Sequence, residues 1–142
     1  MIDYDLKKIK ALVFDVDGVL SQNNVSLSSD GMPLRTANIK DGYALQLAVK
    51  CGLKVAIITG GRSEAVRARY MGLGITDVFQ GVNVKLTCYE DWLVANELQP
   101  EEVLYMRADP RGSSLRSRGC RRPCRALPRA VTRWPRANPR SM

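Results

Sequence analysis

Three short runs of consecutive apolar residues constrain the fold of this chain of 142 residues more than any other feature. They lie at residues 11–14, 55–58 and 103–106, and Val78-Phe79 is a candidate for a short fourth run. A strand covered on both faces of a parallel sheet is apolar along a continuous run, whereas a strand with one solvent-exposed face alternates apolar and polar residues. We therefore expect a buried parallel sheet and one modest core.

Helical patterns occupy the segments between these runs. Ser63 is a candidate N-cap for a helix that Gly72 ends, and Asp41 is a candidate N-cap for an earlier helix that Gly52 ends. The expected core-facing residues of the earlier helix are Ala44, Leu47, Ala48 and Cys51. A third helix, at about residues 86–97, is expected to bury Leu86, Tyr89 and Leu93. Strands that alternate with helices predict an α/β fold with a doubly wound parallel sheet.

The segment after the first run follows a different pattern. Val25 and Leu27 alternate with polar residues, Asp30-Gly31 is a turn dipeptide, and Leu34 resumes the apolar positions. This pattern predicts a β-hairpin inserted after the first strand. We expect the hairpin to stand over the carboxyl ends of the sheet, where open α/β folds bind ligands.

Two carboxylates, Asp15 and Asp17, follow the first run directly. One carboxylate can attack phosphorus and form an aspartyl-phosphate, while a second protonates the leaving alkoxide and then activates water. Magnesium prefers oxygen ligands and would hold such a carboxylate beside an anionic phosphate. Taken singly, Asp17-Gly18 as a turn, Thr59-Gly60-Gly61 as a helix-entry loop and Lys85 as a solvated charge remain open as structural alternatives.

Together these segments resemble the motifs of haloacid dehalogenase-class phosphatases. DVDGVL at residues 15–20, IITGG at 57–61 and GVNVK at 81–85 resemble the first three motifs in order and separation. The resemblance implies a HAD-like, Rossmannoid fold with the hairpin as a minimal cap. It also implies that Thr59, the backbone N–H groups after it, and Lys85 hold the phosphoryl group.

A longer stretch, about residues 8–106, resembles one subgroup, the 3-deoxy-D-manno-octulosonate 8-phosphate phosphatases. The resemblance is carried by Asn38-Ile-Lys-Asp-Gly42, by Arg69 and by GITDVFQGVNVK at residues 74–85. It implies a magnesium-dependent homotetramer, whose neighbouring subunits complete each active site and whose product feeds lipopolysaccharide synthesis. Phosphatases for nine-carbon sialic-type acid 9-phosphates share these motifs, so the sugar acid stays open.

The resemblance also implies roles for individual residues. Asp15 would be the nucleophile and a metal ligand, and Asp17 the general acid/base, binding metal through its backbone carbonyl. The implied phosphate-binding residues are Thr59, Gly60 and Lys85. The implied substrate-binding residues are Asp17, Asn38, Ile39, Lys40, Asp41, Gly42, Arg69 and Lys85. The Arg69 fork suits a carboxylate, although turn capping for Asn38 and a solvated helix face for Arg69 remain alternatives.

Two departures from the family pattern qualify these roles. A second glycine, Gly61, moves Arg62 one position later than the family's arginine. After Met106 the family continues Gly-Asp-Asp, where the first Asp completes the magnesium site, but this chain has Ala108 at that position. Asp109 is a weaker candidate ligand, because Pro110 restricts its backbone and Arg107 brings a competing cation. We therefore expect impaired catalysis.

Residues 107–142 carry the basic charge of the chain. They hold 11 Arg, no Lys, five Pro and one Asp, whereas residues 1–106 hold 11 basic and 13 acidic residues. Our hypothesis is a frameshift near codon 107, since arginine and proline without lysine are typical of GC-rich codons read in a wrong frame. The alternative is a non-catalytic, arginine-rich module that binds RNA or acidic lipid.

The expected organisation is a truncated HAD-like phosphatase domain at residues 1–106 and an irregular, disordered tail at 107–142. The strand at 103–106 would then be an uncovered edge, which predicts low stability. No apolar run reaches the roughly 18 residues of a membrane span, and the start lacks a signal-peptide pattern, so we expect a cytoplasmic protein with no membrane partner. Nucleic acid is not an expected partner either, because no aromatic residue beyond Trp134 is interleaved with the arginines to stack on bases. With no histidine, Cys51 and Cys88 are expected to be buried free thiols rather than zinc ligands.

Overall fold

The computed structural model of the chain describes residues 5–108. In chain order the strands are β1 (Ala11–Phe14), β2 (Ser26–Leu27), β3 (Pro33–Leu34), β4 (Lys54–Ile58), β5 (Asp77–Phe79) and β6 (Val103–Met106), and the helices are α1 (Ile39–Lys50), α2 (Glu64–Gly72) and α3 (Lys85–Ala95). Short 3-10 helices lie at Leu6–Lys8 and Pro100–Glu102.

Four of the strands form one parallel sheet in the order β5-β4-β1-β6. Strand β1 pairs with β4 on one side and β6 on the other, so that Phe14 lies beside both Ile57 and Met106. The sheet lies between helices, and its helix-connected parallel strands confirm the predicted α/β class. This register sets Asp15, the residue after β1, at the edge where β4 and β6 also end.

The two faces of the sheet bury separate apolar clusters. Phe14, Val55 and Ile57 pack with residues of α1 and α2 on one face. Val13 and Ile58 pack with residues of α3 on the other. Because successive strand residues point to opposite faces, and both faces are covered, the buried positions of these strands are apolar. The polar exceptions, Lys54 and Asp77, are the first residues of β4 and β5.

Helix α1 begins earlier and faces the core differently from the prediction. Its N-cap is Asn38, whose side-chain oxygen accepts from the N–H groups of Lys40 (2.9 Å) and Asp41 (3.3 Å), so the prediction of Asp41 as the cap was wrong. The buried residues are Gly42 and Leu45.

The predicted core face of α1 was also wrong, since Ala44, Leu47 and Cys51 are exposed and Ala48 is half-buried. The helix carries apolar residues on two sides, and the sequence pattern does not say which side meets the sheet. The exposed Cys51 likewise contradicts the expectation of a buried thiol, whereas Cys88 is half-buried.

The other two helices follow the predicted pattern more closely. Ser63 caps α2 by accepting from the N–H of Val66 (3.4 Å), as predicted. In α3 Tyr89 and Leu93 are buried as expected, but Leu86 is exposed, because its turn begins the helix beside the strand ends rather than over the sheet. Trp92 takes its place in the core, and its indole N–H donates to Asp77 (2.9 Å).

The predicted hairpin is present as the antiparallel pair of β2 and β3. Gly31 has a φ of +77° in its turn, a conformation that favours glycine. The hairpin side chains Leu27, Met32 and Leu34 are exposed. In the part of the chain that the structure describes, no helix is both long enough and apolar enough to cross a membrane.

A matched pair of substitutions tests which face of α1 meets the core. Leu45 is 4% exposed and Leu47 is 50% exposed. We expect Leu45→Ala to lower the free energy of unfolding by about 2–5 kcal/mol, since it leaves a cavity, and Leu47→Ala to change it by about 0.5 kcal/mol or less. Urea unfolding of the chain, at one protein concentration for both variants, measures both. A larger loss for Leu47→Ala would reverse the assignment of faces.

Candidate active site

Asp15 lies at the carboxyl end of β1 and is 6% exposed. One of its carboxylate oxygens, Oδ1, accepts from the N–H of Val16 (2.8 Å), and Oδ2 lies 2.5 Å from the ammonium nitrogen of Lys85. Its own N–H donates to the carbonyl of Met106 (3.0 Å), which ties the residue to β6. A carboxylate this buried needs such compensation, and Lys85, the first residue of α3, supplies it.

The turn after Asp15 lies next to position 108. Asp17 is extended, and Gly18 has a φ of +77°. A Cβ at Gly18 would collide with the side chain of Asn23 and would lie 3.2 Å from the Cβ of Ala108. The positive φ therefore favours glycine in the turn, and the side chain at position 108 stands directly beside it.

Thr59 makes three hydrogen bonds that help to hold the loop after β4. The N–H of Thr59 donates to Phe79, its carbonyl accepts from Val82, and its hydroxyl oxygen accepts from the N–H of Gly61 (3.3 Å). Thr59 is buried. Because the hydroxyl accepts from Gly61, its own hydrogen remains available to donate to an anionic oxygen.

The predicted substrate segment, residues 38–42, forms the cap and first turn of α1. Asn38 uses its side-chain oxygen for capping, which is the alternative role that the sequence left open. Arg69 reaches this turn from α2, since a Cβ at Gly42 would collide with its guanidinium. Within residues 5–108, no hydrogen bond or ion pair links this pair to Asp15.

The remaining predicted residues of this segment, Ile39, Lys40 and Asp41, lie in the same first turn. Ile39 and Lys40 are exposed and Asp41 is half-buried. Arg62 lies against the loop before α3, where a Cβ at Gly81 would collide with its guanidinium. Arg62, which Gly61 shifts one position along the chain, therefore lies beside Gly81, the first residue of the third motif.

Sequence reasoning missed Arg35, which follows β3. Its Nε donates to one carboxylate oxygen of Asp17 (2.7 Å) and its Nη2 to the other (3.2 Å). The hydrogen bonds to Asp17 raise the pKa of Arg35, against the opposing effect of burial. No motif spacing marks an arginine at a hairpin's end, so only the folded geometry reveals this pair.

The described residues do not supply a complete magnesium site. Asp15 offers a carboxylate beside the exposed backbone turn of Asp17, but position 108 offers only a methyl group. Within residues 5–108, no three Asp, Glu, His or Cys side chains cluster as metal ligands would. Asp109, the weaker candidate ligand, lies outside the described residues.

Tyr105 of β6 lies near this site. Its ring stacks on that of Tyr89, with ring centroids 5.1 Å apart, and its hydroxyl is buried without a hydrogen-bond partner in the described part of the chain. Burial, together with the negative charge of Asp15, raises the pKa of Tyr105 to about 12, although the charge of Arg107 opposes this. The phenol is therefore held in its neutral form.

This pKa predicts a pH dependence. Since the folded state holds the Tyr105 proton more tightly than the unfolded chain does, Tyr105 stabilises the fold fully below pH 10.0, and that contribution is lost as pH rises through about 12. We expect one tyrosine to titrate near pH 12 by phenolate absorbance, and Tyr105→Phe to remove that transition. If Tyr105→Phe removed a transition near pH 10 instead, the burial of the Tyr105 hydroxyl would be refuted.

Comparison with known proteins agrees with this geometry, although no protein-family model matches the chain. The curated 3-deoxy-D-manno-octulosonate 8-phosphate phosphatase of Yersinia pestis is 38% identical over 101 residues, covering 71% of this chain and 54% of that protein. The chain thus spans about half the length of the curated relatives it matches.

Solved structures show the same likeness. The crystal structure of the Yersinia pestis phosphatase matches with a TM-score of 0.69 and 37% identity, covering 72% of this chain and 56% of that one. The Moraxella catarrhalis phosphatase, in complex with a magnesium ion, a phosphate ion and a 3-deoxy-D-manno-octulosonate (KDO) molecule, matches with a TM-score of 0.66 and 33% identity, covering 70% and 57%. By its fold, its motifs and these relatives, the chain belongs to the haloacid dehalogenase-class phosphatases and is similar to their 3-deoxy-D-manno-octulosonate 8-phosphate phosphatase subgroup.

Proposed function

We propose that this chain carries the phosphoryl-transfer site of a sugar-acid phosphatase, and that the site is impaired at position 108. The observation that carries the proposal is the buried Asp15 carboxylate at the end of β1, with the Lys85 ammonium 2.5 Å from Oδ2. A nucleophilic carboxylate that must meet an anionic phosphate needs a cation at this place.

In the proposed reaction, an oxygen of Asp15 forms a bond to phosphorus as the bond from phosphorus to the sugar oxygen breaks. Asp17, two residues on, gives its proton to the leaving alkoxide. It then takes a proton from the water that attacks the aspartyl-phosphate, which releases phosphate and restores Asp15. Thr59, Gly60 and Lys85 hold the phosphoryl oxygens through hydroxyl, backbone N–H and ammonium donors.

The proposed substrate is 3-deoxy-D-manno-octulosonate 8-phosphate. This choice is supported by the name of the Yersinia pestis relative and by the KDO molecule in the Moraxella catarrhalis structure. Residues 38–42 and Arg69, which meet at the start of α1, would bind the sugar acid. The nine-carbon acid 9-phosphates are the alternative substrates, and direct competition between the two sugar phosphates distinguishes them.

Magnesium is the proposed cofactor, because the Moraxella catarrhalis relative holds it. Bound there, it would offset the repulsion between the nucleophile and the phosphate. The proposed ligands are the Asp15 carboxylate and the Asp17 carbonyl. Ala108, which lies beside Gly18, has no oxygen that could serve as a third ligand, and this is the basis for proposing impaired catalysis.

A homotetramer is part of the proposal, on the basis of the family resemblance. Exposed apolar side chains support a subunit interface: Ile39 and Tyr43 on α1, and Leu27 and Leu34 on the hairpin. Such side chains are stabilised when a second subunit covers them. The arginine-rich tail of the competing binding hypothesis lies outside the described residues; that hypothesis requires salt-sensitive RNA retention that disappears when residues 107–142 are deleted.

Phosphate release from 3-deoxy-D-manno-octulosonate 8-phosphate, with and without magnesium, tests the proposal. We expect the native chain to release no more than an Asp15→Asn blank, and Ala108→Asp to exceed that blank by at least about tenfold with magnesium, since it restores a carboxylate beside the turn. Ala108→Asn is the matched control, with similar volume but no charge.

Two outcomes would contradict parts of this proposal. Release by the native chain that needs both magnesium and Asp15 would refute the impairment. Failure of Ala108→Asp in a chain that folds normally by circular dichroism would count against position 108 as the missing element.

A further inference from the structure

Arg35 lies where the hairpin rejoins the domain, directly after β3. The preceding Leu34 is exposed, yet the side chain of Arg35 is only 10% exposed. Burying a guanidinium is costly unless oxygen acceptors surround it. The oxygen atoms that Arg35 binds, and the N–H groups that it leaves unpaired, therefore indicate its role.

The guanidinium is only partly satisfied. Nε and Nη2 bind the two carboxylate oxygens of Asp17, at 2.7 and 3.2 Å. Nη1 is buried and has no hydrogen-bond partner among residues 5–108. A buried donor left unpaired carries its full desolvation penalty, so a ligand oxygen that reached Nη1 would recover it. The side chain thus has spare donors for an oxyanion.

The unpaired Nη1 lies beside the loop after β4. A Cβ at Gly61 would collide with Nη2 of Arg35 and would lie 3.6 Å from Nη1. Gly61 is the same residue whose N–H donates to the Thr59 hydroxyl. The second glycine of the loop therefore has a physical reason, since any side chain there would displace the guanidinium from the proposed phosphate-binding loop.

We propose that Arg35 is a further phosphoryl-binding residue, which donates from its free Nη1 to an oxygen of the phosphate group held at Thr59 and Lys85. This inference rests on the proposed function, because it uses the same phosphate site. A guanidinium presents several N–H donors in one plane and can bind Asp17 and a phosphoryl oxygen together, which an ammonium cannot do with the same geometry. The hairpin thereby contributes directly to the site.

Calorimetric titration of the full chain with orthophosphate, without metal, tests this role. We expect Arg35→Met to weaken phosphate binding by about tenfold, the usual worth of one charge-assisted hydrogen bond. Arg35→Lys keeps the charge without the fork and should restore part of the affinity. Arg67→Met, at an exposed arginine of α2, is the matched control and should bind as the native chain does.

Lys85→Met separates this inference from the proposed function. Weaker binding in Lys85→Met, with native affinity in Arg35→Met, would leave the phosphate site standing and overturn the role of Arg35. If the native chain bound no phosphate, both would be overturned. Should Arg35→Met fail to fold by circular dichroism, Arg35→Lys decides: native affinity in that variant overturns the need for the fork.

Discussion

The burial of β1 between β4 and β6 is the constraint on which the rest of the structure depends. Ala11 and Val13 are fully buried, and the strand is hydrogen-bonded on both sides. Parallel strands end at a common edge, so Asp15, Thr59 and position 107 emerge together wherever the connecting loops run. The candidate site therefore takes its geometry from the register of the sheet, and the loops only refine it.

Charge compensation is the second physical requirement of this edge. The buried Asp15 is paired with Lys85 from α3, and the half-exposed Asp17 with Arg35 from the hairpin's end. The first pair is the more consequential, because solvent screens a charge less when it is buried. Both cations come from segments distant in sequence, so the two carboxylates depend on the fold for their partners.

Much of the fold follows from the sequence. Continuous apolar runs predicted the strands, because both faces of the sheet are covered, and Asp30-Gly31 predicted the hairpin turn. The face of α1 was not predictable, since apolar residues occur on two sides of that helix and only packing selects Leu45 over Leu47. The predicted burial of Leu86 was wrong for a related reason. Helical periodicity indicates which face of the helix a residue lies on, but not whether that part of the helix covers the sheet.

The positions of Asp15, Thr59 and Lys85 in the fold were predictable, because short sequence motifs mark them. Arg35 was not, because its bond to Asp17 joins residues 18 apart without any motif. The Trp92 bond to Asp77 escaped prediction for the same reason, since a long-range side-chain pair has no local signal. The roles of these residues in catalysis remain predictions.

The central claim is that a site for phosphoryl transfer is in place and lacks its metal-binding carboxylate at position 108. Calorimetric titration of magnesium into the native chain and into Ala108→Asp, both with orthophosphate present, tests it most directly. We predict magnesium binding at least about tenfold tighter in Ala108→Asp, lost again when Asp15→Asn is added. Equal magnesium affinity in the native chain and Ala108→Asp would contradict the claim.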